Sequence, residues 1–293
     1  MTTAEEVFTE LRPLLFTVAY EMLGSAADAE DVVQDSWLRW AGVDRASVRD
    51  PRAYLVRVVT RQALNRLRTL RRRREEYVGP WLPEPVATTP DVAEDVELAD
   101  SVSFAMLVVL ETLTPLERAV FVLREVFGYG YDEIAAATDR SEDAVRKVAS
   151  RARRHVEDRR PRGSGPDADH DAVSTRFFAA VSTGDVQGLM DVLAPDVVLL
   201  TDGGGIKKAA LRPIEGAEKV TRFLASLVAA EPGSIEAEFL DVNGAKGALG
   251  IVAGELDVAL SLRTEGGRVA EIFVVRNPEK LRRILEPTRL SRN

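Results

Sequence analysis

Two basic helical segments, separated by an acidic stretch, constrain this 293-residue chain more than any other feature. Residues 49–74 hold ten arginines against a single acidic residue, Asp50. Residues 141–160 form a second basic segment, whereas residues 77–110 hold six acidic residues and no basic one. Because clustered cations attract phosphate groups, two separate basic surfaces predict a chain that grips DNA at two places. They disfavour an enzyme acting on a small molecule.

The net charge of −8 hides this asymmetry, since the sign varies from segment to segment. The chain contains no cysteine, which excludes disulfides and thiolate metal sites. Its two histidines, His155 and His170, are too few for a multi-histidine centre, so we expect no metal and no cofactor. The acidic first 16 residues do not resemble a signal peptide, and no run of about 18 apolar residues occurs. We therefore expect a soluble cytoplasmic protein that does not bind a membrane.

Apolar residues recur at helical spacing over residues 4–76, which predicts an all-helical first domain, residues 1–76. Gly24-Ser25 is expected to end the first helix and Asp28 to begin the second. Asp50-Pro51 is typical of a helix start, with a cap followed by proline at the first helical position.

Residues 77–100 are expected to form an acidic, proline-rich linker. Three prolines and two aromatic residues within residues 77–85 predict an extended chain. A bare spacer would not need Trp81 and Leu82, so we expect this segment to dock on a partner surface. Its six carboxylates are also compatible with an ordinary solvated spacer.

A second helical domain is predicted over residues 101–160, and Thr114-Pro115-Leu116-Glu117 is typical of a capping box with proline at the first helical position. Residues 161–166, Pro-Arg-Gly-Ser-Gly-Pro, mark the clearest domain boundary. Residues 167–293 then alternate helical and strand patterns, which predicts an α+β domain with a curved antiparallel sheet. The expected strands are residues 197–200, 235–242, 248–252, 256–263 and 269–275, with a helix over 217–229.

Residues 131–160 have the pattern of a helix-turn-helix. Ala135 is the small residue of the first helix, and Asp139, four residues later, occupies the turn position that is usually left-handed. Val145 and Val148 fall where the second helix should meet the first. Arginines on its polar face can read guanine edges or hold phosphate, so we interpret the segment as DNA-binding rather than as a solvated basic face.

Three ordered motifs resemble the extracytoplasmic-function (ECF) sigma factors. Residues 28–38 resemble the helix with which these proteins bind core RNA polymerase, residues 50–74 their −10 promoter-reading region, and residues 113–156 their −35-reading domain. The chain is similar, more narrowly, to the ECF41-type group, which carries a SnoaL-like extension. Three segments carry this second resemblance: Tyr77–Pro85 (YVGPWLPEP), Asp202–Lys207 (DGGGIK, with Ile206 inserted before the lysine) and Asn277–Leu281 (NPEKL, with Glu in place of Asp).

The resemblance implies a sigma factor that binds core RNA polymerase and promoter DNA and initiates transcription. It implies two all-α domains, a sigma2-like and a sigma4-like one, followed by a cone-shaped α+β domain of the SnoaL/NTF2-like class. Arg71–Arg74 are expected to add phosphate contacts beside the −10 element. The residues that it assigns to polymerase are Asp31, Gln34, Asp35 and Trp37, although Trp37 is equally compatible with a place in the core. Those that it assigns to the −10 element are Arg57, Arg61, Asn65, Arg68, Arg71 and Arg72. Those that it assigns to the −35 element are Arg140, Ser141, Glu142, Arg146, Lys147 and Arg151.

The SnoaL-like domain is either an enzyme or a regulator. Relatives of this fold isomerise steroids or cyclise polyketides, and Asp202, Asp241 and Glu255 are candidate bases. Residues 161–293 contain no Tyr, Trp or Cys, however, so no obvious donor supports catalysis and we expect no enzyme. The hypothesis is that the linker binds this domain, which fixes the spacing of the two DNA-reading domains, with a small ligand as a further partner. The residues expected to carry this regulation are Trp81, Pro83, Pro85, Asp202, Gly203, Gly204, Gly205, Lys207, Asn277, Pro278 and Lys280. The alternative for the whole chain is a one-component helix-turn-helix repressor that binds DNA without polymerase.

Overall fold

The computed structural model describes residues 3–159, 169–230 and 235–292. The contacts divide the chain into two compact units. Unit 1 comprises Met1–Glu75, Leu107–Arg160 and Arg289–Asn293, and unit 2 comprises Glu76–Met106 and Pro161–Thr288. The expected linker 77–100 therefore falls in the same unit as the expected domain 167–293, and the boundary between the units lies near residue 107 rather than at residue 101. The inter-domain segment 161–166 that the sequence predicts lies outside the described residues.

Unit 1 begins with three helices whose ends follow local capping rules. Thr3 and Glu6 form a reciprocal capping box at the first helix, which ends at Gly24 in the left-handed region (φ 66°). The second helix begins at Ala26 rather than at Asp28, because the Ser25 side chain accepts a hydrogen bond from the Asp28 backbone N–H and thereby caps it. The bounds are α1, Ala4–Leu23; α2, Ala26–Ala41; and α3, Pro51–Glu75.

The second half of unit 1 contains the expected helix-turn-helix. The capping box at Thr114 and Glu117 is present, with Pro115 at the first helical position. Asp139 has φ 59°, the left-handed conformation that its position predicts. A π-helical turn, Val122–Val126, separates the first of these helices from the next. The bounds are α7, Pro115–Phe121; α8, Tyr131–Thr138; and α9, Glu142–Arg159.

Between the two long sequence segments of unit 1, residues 77–89 are largely extended as expected, but residues 90–102 are not. They form two short helices, so the prediction of an extended linker up to residue 100 is wrong. Pro90 occupies the first helical position of one, and the Asp95 carboxylate caps the other by accepting the Leu98 backbone N–H at 3.1 Å. Proline and aspartate are also common in turns, so the composition of this segment did not predict the two helices that Pro90 and Asp95 begin. The bounds are α4, Pro90–Glu94; α5, Val96–Val102; and α6, Phe104–Glu111.

A buried charge cluster ties α1 and α3 to α7 within unit 1. The Arg118 side chain is 2% exposed; its Nε donates to the Glu21 carbonyl oxygen at 2.8 Å and its guanidinium pairs with Glu111 at 2.6 Å. Arg74 pairs with the same carboxylate and donates to the Leu23 carbonyl oxygen at 2.8 Å. Burial lowers the pKa of both guanidiniums to about 9, which leaves them charged at neutral pH.

Unit 2 contains the α+β fold, with the last strands close to their predicted bounds. Within the described residues, six strands form one sheet in the order β2-β1-β6-β5-β4-β3. The strands are β1, Leu193–Asp202; β2, Ile214–Glu215; β3, Ile235–Val242; β4, Ala245–Val252; β5, Glu255–Glu265; and β6, Arg268–Val275. The helices are α10, His170–Thr183; α11, Val186–Val192; α12, Ala217–Ala230; and α13, Pro278–Leu281.

The sheet is mixed, so the expectation of a purely antiparallel sheet is wrong. β1 pairs in parallel with β6, whereas the other pairs are antiparallel. Strand periodicity is the same in both arrangements, so the sequence pattern could not distinguish them. Ile272 belongs to the apolar core beneath α10 with Val173 and Phe177, whereas Phe273 stacks on Phe104 of α6 at 5.6 Å. Because neighbouring residues of a strand point to opposite faces, helices cover one face and residues following the linker contact the other.

None of the helices in the described part of the chain combines the length and hydropathy needed to span a bilayer.

Substitution of Arg118 by Met is expected to destabilise unit 1 by about 3–5 kcal/mol, because the Glu111 carboxylate, whose side chain is only 14% exposed, loses a charged partner. The Arg153→Met variant is the matched control, since Arg153 forms an exposed ion pair with Glu125 at 2.7 Å in the same unit. We expect that change to cost less than about 1 kcal/mol. Urea denaturation followed by circular dichroism measures both, and equal losses would contradict the importance of the buried cluster.

Candidate functional site

The helix-turn-helix presents the side chains predicted to contact the −35 element. Its two helices pack against each other, with Ile134 and Ala137 of α8 and Val145 and Val148 of α9 all buried. This packing turns the polar face of α9 outward. The predicted residues are all exposed: Arg140, Ser141, Glu142, Arg146, Lys147 and Arg151.

Two of these residues have roles within the motif itself. The Ser141 hydroxyl accepts the Ala144 backbone N–H at 3.3 Å and thus caps α9. Arg146 pairs with Glu142 one turn earlier, and its guanidinium lies 4.5 Å from the centre of the Tyr131 ring. Stacking on an aromatic ring and pairing with a carboxylate hold the Arg146 guanidinium in a defined orientation at the start of the helix.

The predicted −10 residues lie along the exposed side of α3. The Arg57 guanidinium lies 5.5 Å from the Tyr54 ring, and the Asn65 side-chain oxygen accepts a hydrogen bond from Arg68 at 3.1 Å. The side chains of Arg71 and Arg72 lie outside the described residues. Arg74, for which we expected a phosphate contact together with Arg71–Arg73, pairs instead with Glu111 in the charge cluster of unit 1, where its side chain is 17% exposed.

Arg61 has a partner that the sequence does not indicate. Its guanidinium donates to the Ala136 carbonyl oxygen of α8 at 2.9 Å and reaches Ala137 at 3.4 Å. The helix predicted to contact the −10 element therefore lies directly against the helix-turn-helix, which we call the closed arrangement. A cleft of about 340 Å³ remains between them, lined by both Arg68 and Arg140.

The predicted polymerase-binding residues lie on α2. Asp31, Gln34 and Asp35 are exposed, and Asp31 also pairs with Arg66 at 3.3 Å. Trp37 is half-buried, with its ring 5.1 Å from that of Phe8 in α1, so part of this residue belongs to the core. A neighbouring apolar residue that was not among the candidates, Leu38, is 64% exposed.

A second constellation in unit 2 fastens the linker to the SnoaL-like fold; we call it the linker clasp, formed by Tyr77, Trp81, Leu82, Asp202 and Lys280. Asp202 is 1% exposed and accepts hydrogen bonds from the Tyr77 hydroxyl at 2.5 Å and the Leu82 backbone N–H at 2.9 Å. The Lys280 ammonium pairs with Asp202 at 2.8 Å, donates to the Leu82 carbonyl oxygen at 2.5 Å and lies 3.3 Å from the centre of the Trp81 ring. Both charges are therefore satisfied by each other and by the linker.

The motifs around Asp202 and Asn277 meet at this point. Asn277 donates from its amide nitrogen to the Tyr77 hydroxyl at 2.8 Å, and its backbone N–H donates to the Asp202 carbonyl oxygen at 3.0 Å. Gly204 has φ 63° and lies so close to Asn277 that a side chain would collide with it. Burial raises the pKa of Tyr77, and the hydrogen bond to Asp202 raises it further, so the hydroxyl remains a donor.

The remaining predicted regulatory residues divide into two groups. Pro83 and Pro85 are buried, and Pro278 occupies the first helical position of α13. Gly203 and Gly205 belong to the loop that follows β1, in which Gly205 faces Val78 of the linker.

Lys207 does not belong to the clasp. Its ammonium pairs with Asp257 at 2.8 Å, and Arg276 pairs with the same carboxylate at 2.5 Å. Burial would raise the pKa of Asp257, but the hydrogen bonds from Lys207 and Arg276 outweigh it and lower that pKa. Lys207 therefore anchors the glycine-containing loop to β5.

A further attachment of the linker uses Asn243, which sequence reasoning missed. This buried residue has φ 54° in the turn between β3 and β4 and forms two hydrogen bonds with the Val86 backbone. Its amide also donates to the Val102 carbonyl oxygen at 2.8 Å. The β3–β4 turn thus holds both the extended part of the linker and the end of α5. The only available signal was an Asn-Gly pair, which also occurs in ordinary hairpins.

The three candidate bases of the SnoaL-like fold lie in different surroundings. Asp202 is occupied by the clasp, the Asp241 backbone pairs with Thr88, and Glu255 is exposed at the start of β5. The tyrosine beside Asp202 comes from the linker, outside the segment in which a donor was sought. The described residues contain no group of three histidine or carboxylate side chains placed to hold a metal ion.

Three family models match the chain in order. They are Sigma-70 region 2 over residues 7–73, Sigma-70 region 4 over residues 103–156 and a SnoaL-like domain over residues 174–284.

Two relatives match almost the whole chain. The ECF RNA polymerase sigma factor SigJ of Mycobacterium tuberculosis is 40% identical over 286 residues, which span 93% of this chain and 91% of SigJ. A second protein of that organism, described as "Probable ECF RNA polymerase sigma factor SigI", is 31% identical and covers 92% of each chain. The crystal structure of SigJ matches with a TM-score of 0.76 at 36% identity, covering 94% of this chain and 96% of the other. The chain therefore belongs to the extracytoplasmic-function RNA polymerase sigma factors, with a SnoaL-like domain fused after the two sigma-70 regions.

Proposed function

We propose that the chain binds core RNA polymerase in the cytoplasm and directs it to promoters with −10 and −35 elements, and that its SnoaL-like domain modulates this activity. The observation that carries the proposal is the combination of a well-formed helix-turn-helix, with all six of its predicted contact residues exposed, and a basic helix that ends the sigma-70 region 2 match. Polymerase contacts are assigned to the exposed carboxylates and amide of α2, namely Asp31, Gln34 and Asp35.

On α9, Arg146 is assigned to base edges, because its side chain is held in one orientation by Tyr131 and Glu142 at the start of the recognition helix. Lys147 and Arg151 are exposed on the same helix and are assigned to phosphates. On α3, Arg57, Arg61, Asn65 and Arg68 are assigned to the −10 element.

The closed arrangement is a form of the free protein that must open for promoter binding. Two elements centred roughly 25 base pairs apart lie about 85 Å apart along B-form DNA. In the closed arrangement, however, the Arg61 guanidinium is only 2.9 Å from a carbonyl oxygen of α8. A −10 helix in contact with the −35 reader cannot occupy both elements, so Arg61 must leave α8 before it meets DNA.

The linker clasp gives the SnoaL-like domain a means of controlling this opening. The linker joins the two DNA-reading parts, and Asp202 and Lys280 hold it through its own backbone at Leu82. A buried ion pair contributes little net stability but specifies one arrangement, because each charge would be costly without its partner. Release of the linker from Asp202 and Lys280 therefore changes how far apart the two DNA-reading parts can lie.

The SnoaL-like domain is inferred to act as a regulator rather than as an enzyme. Asp202 is the most buried of the candidate bases, and its side-chain oxygens are engaged by Tyr77, Leu82 and Lys280. A general base needs a carboxylate that reaches a substrate proton, and this one is committed to the linker.

Run-off transcription with core polymerase tests the main proposal. We expect the purified chain to confer defined start sites on a core enzyme that lacks any other sigma factor, and to co-purify with that enzyme. A chain that binds promoter DNA but neither co-purifies with the core nor selects start sites would instead be the one-component repressor.

Replacement of Lys147 by Ala is expected to weaken promoter binding similarly at all sequences and to lower the log–log salt slope by about 0.9, because one phosphate contact is lost. The Arg146→Ala variant should instead lose discrimination among base substitutions in the −35 element. Lys219→Ala, in an exposed position on α12, is the matched control and should leave both quantities unchanged. The measurement is fluorescence anisotropy of the holoenzyme on labelled promoter DNA across a salt series; an unaltered slope for Lys147→Ala would refute its assignment.

Replacement of Lys280 by Met is expected to release the linker, because Asp202 is then left buried with its charge uncompensated. Hydrogen exchange at the Leu82 amide should accelerate, and run-off transcription should rise because the linker no longer restrains opening. Lys207→Met is the matched control, since Lys207 pairs with Asp257 outside the clasp. Unchanged exchange and transcript yield in Lys280→Met would rule out the clasp as a regulatory element.

A further inference from the structure

The cleft of about 340 Å³ in the closed arrangement lies within unit 1, where α3, the first turn of α7 and the turn of the helix-turn-helix meet. Among the described residues that line it, the charged ones are Arg68, from α3, and Arg140, from the turn. Leu64, Pro115 and Leu116 give it an apolar wall. The cleft therefore carries positive charge from both of the DNA-reading parts that enclose it.

These two arginines lack the carboxylate partners that other cations of unit 1 have. On α3, Arg61 and Arg66 both face carboxylates. Arg68 instead donates to the neutral side-chain oxygen of Asn65 at 3.1 Å, and Arg140 donates only to the carbonyl oxygen of the preceding residue, at 3.4 Å. Neither guanidinium forms an ion pair within the described part of the chain. The closed arrangement thus brings two uncompensated like charges to one cleft, and an anion between them would offset their repulsion.

The other polar side chains of the cleft are engaged elsewhere. The Thr138 hydroxyl donates to the Ile134 carbonyl oxygen at 2.7 Å, and the Thr114 hydroxyl donates to the Glu117 carboxylate at 2.7 Å. Glu117 also accepts the Thr114 backbone N–H at 3.1 Å, so it is held at the start of α7. Guanidinium N–H groups are therefore the donors that the described residues leave available in the cleft, which selects an anionic ligand.

The chemistry of the cleft favours a ligand with more than one phosphate. Guanidinium groups bind phosphate oxygens through parallel N–H···O hydrogen bonds, and an apolar wall beside them strengthens the local field. Two guanidiniums from separate elements suit an anion that offers oxygens in two directions. Because a water molecule in the liquid occupies roughly 30 Å³, a cleft of about 340 Å³ has room for a diphosphate group.

We propose that this cleft is an anion site that binds a diphosphate group, either free as pyrophosphate or as part of a nucleotide, with Arg68 and Arg140 as its ligands. Because the two arginines come from the two DNA-reading parts, a bound diphosphate connects them and stabilises the closed arrangement. Both arginines are also assigned to promoter DNA, so the ligand competes with the promoter, a consequence that rests on the proposed function. The site belongs to the sigma-type helices and does not involve the SnoaL-like domain.

Isothermal titration calorimetry of the free chain with inorganic pyrophosphate, at low ionic strength, tests the site. Arg68→Gln and Arg140→Gln should each weaken binding by about tenfold or more, because each removes a charge-assisted pair. Arg154→Gln is the matched control, since it makes the same change at an exposed arginine of α9 outside the cleft, and it should retain the parent affinity. Equal losses in the three variants, or a parent that does not bind, would overturn the site.

The same titration with adenosine diphosphate and with orthophosphate separates the possible ligands. Tighter binding of adenosine diphosphate than of pyrophosphate assigns the site to a nucleotide whose base packs on the apolar wall, whereas the reverse order assigns it to free pyrophosphate. Orthophosphate should bind about tenfold or more weakly than the better of these two, because one phosphate cannot satisfy both arginines. Orthophosphate that binds as tightly would contradict a site built from two arginines.

Closure is measured by single-molecule energy transfer between dyes on Ala41→Cys in α2 and Ser150→Cys in α9, two exposed positions in a chain that has no other cysteine. The background is Arg61→Gln, which lacks the bond to α8 and therefore favours opening. Pyrophosphate should deplete the population with low energy transfer, and adding Arg140→Gln should abolish this effect. An unchanged distribution at saturating pyrophosphate would refute stabilisation of the closed arrangement.

Neither polymerase nor DNA is present in these measurements, so they remain decisive if the proposed transcription activity fails. A chain that selects start sites but does not bind pyrophosphate would keep the proposed function and lose the anion site alone.

Discussion

The burial of one guanidinium, that of Arg118, determines how unit 1 is assembled. An arginine in the interior is tolerated only when carbonyl oxygens and carboxylates surround it, and its partners here come from the end of α1 and from α6. Arg74, at the end of α3, shares the same carboxylate of Glu111. Arg118 and Glu111 both lie in the segment that matches sigma-70 region 4 and pair with each other there, and the bond from Arg118 to the Glu21 carbonyl oxygen joins this segment to the one that matches region 2.

Both units contain paired charges away from solvent, but the pairs hold different parts of the chain in place. In unit 1 the buried cluster and the bond from Arg61 to α8 keep two DNA-reading parts together. In unit 2 the Asp202–Lys280 pair holds a segment of linker backbone. Such pairs add little net stability, because desolvation offsets most of the attraction, but they penalise alternative arrangements in which one charge remains unpaired. Both suit the proposed change between a closed and an open state, since such pairs favour defined arrangements over gradual deformation.

Local signals in the sequence predicted much of this architecture. The capping box at Thr114, the left-handed turn at Asp139 and the helix start at Asp50-Pro51 all depend on residues within four positions of one another. Several features depend instead on distant contacts and escaped prediction. The parallel pairing of β1 with β6, the burial of Arg74 and the pairing of Lys207 with Asp257 are fixed by partners that lie 37 or more residues away in the sequence.

The same distinction between local signals and distant contacts applies to the residues of the candidate functional site. The exposed face of α9 could be read from helical periodicity, and the docking of Trp81 and its neighbours could be expected from aromatic residues in a polar linker. The Tyr77 hydroxyl and Asn243 could not be assigned in this way, because tyrosines and Asn-Gly turns occur in many surroundings. Their function depends on atoms brought together over more than 120 residues of chain.

The ammonium of Lys280 lies 3.3 Å from the centre of the Trp81 indole. A positive charge at that distance perturbs the excited state of the ring, whose charge distribution differs from that of its ground state. The other two tryptophans, Trp37 and Trp40, lie in the helical region near the start of the chain, so Trp81 alone senses the surroundings of the linker. Tryptophan fluorescence therefore reports, without any added label, whether Lys280 and Trp81 remain in contact when the protein changes state.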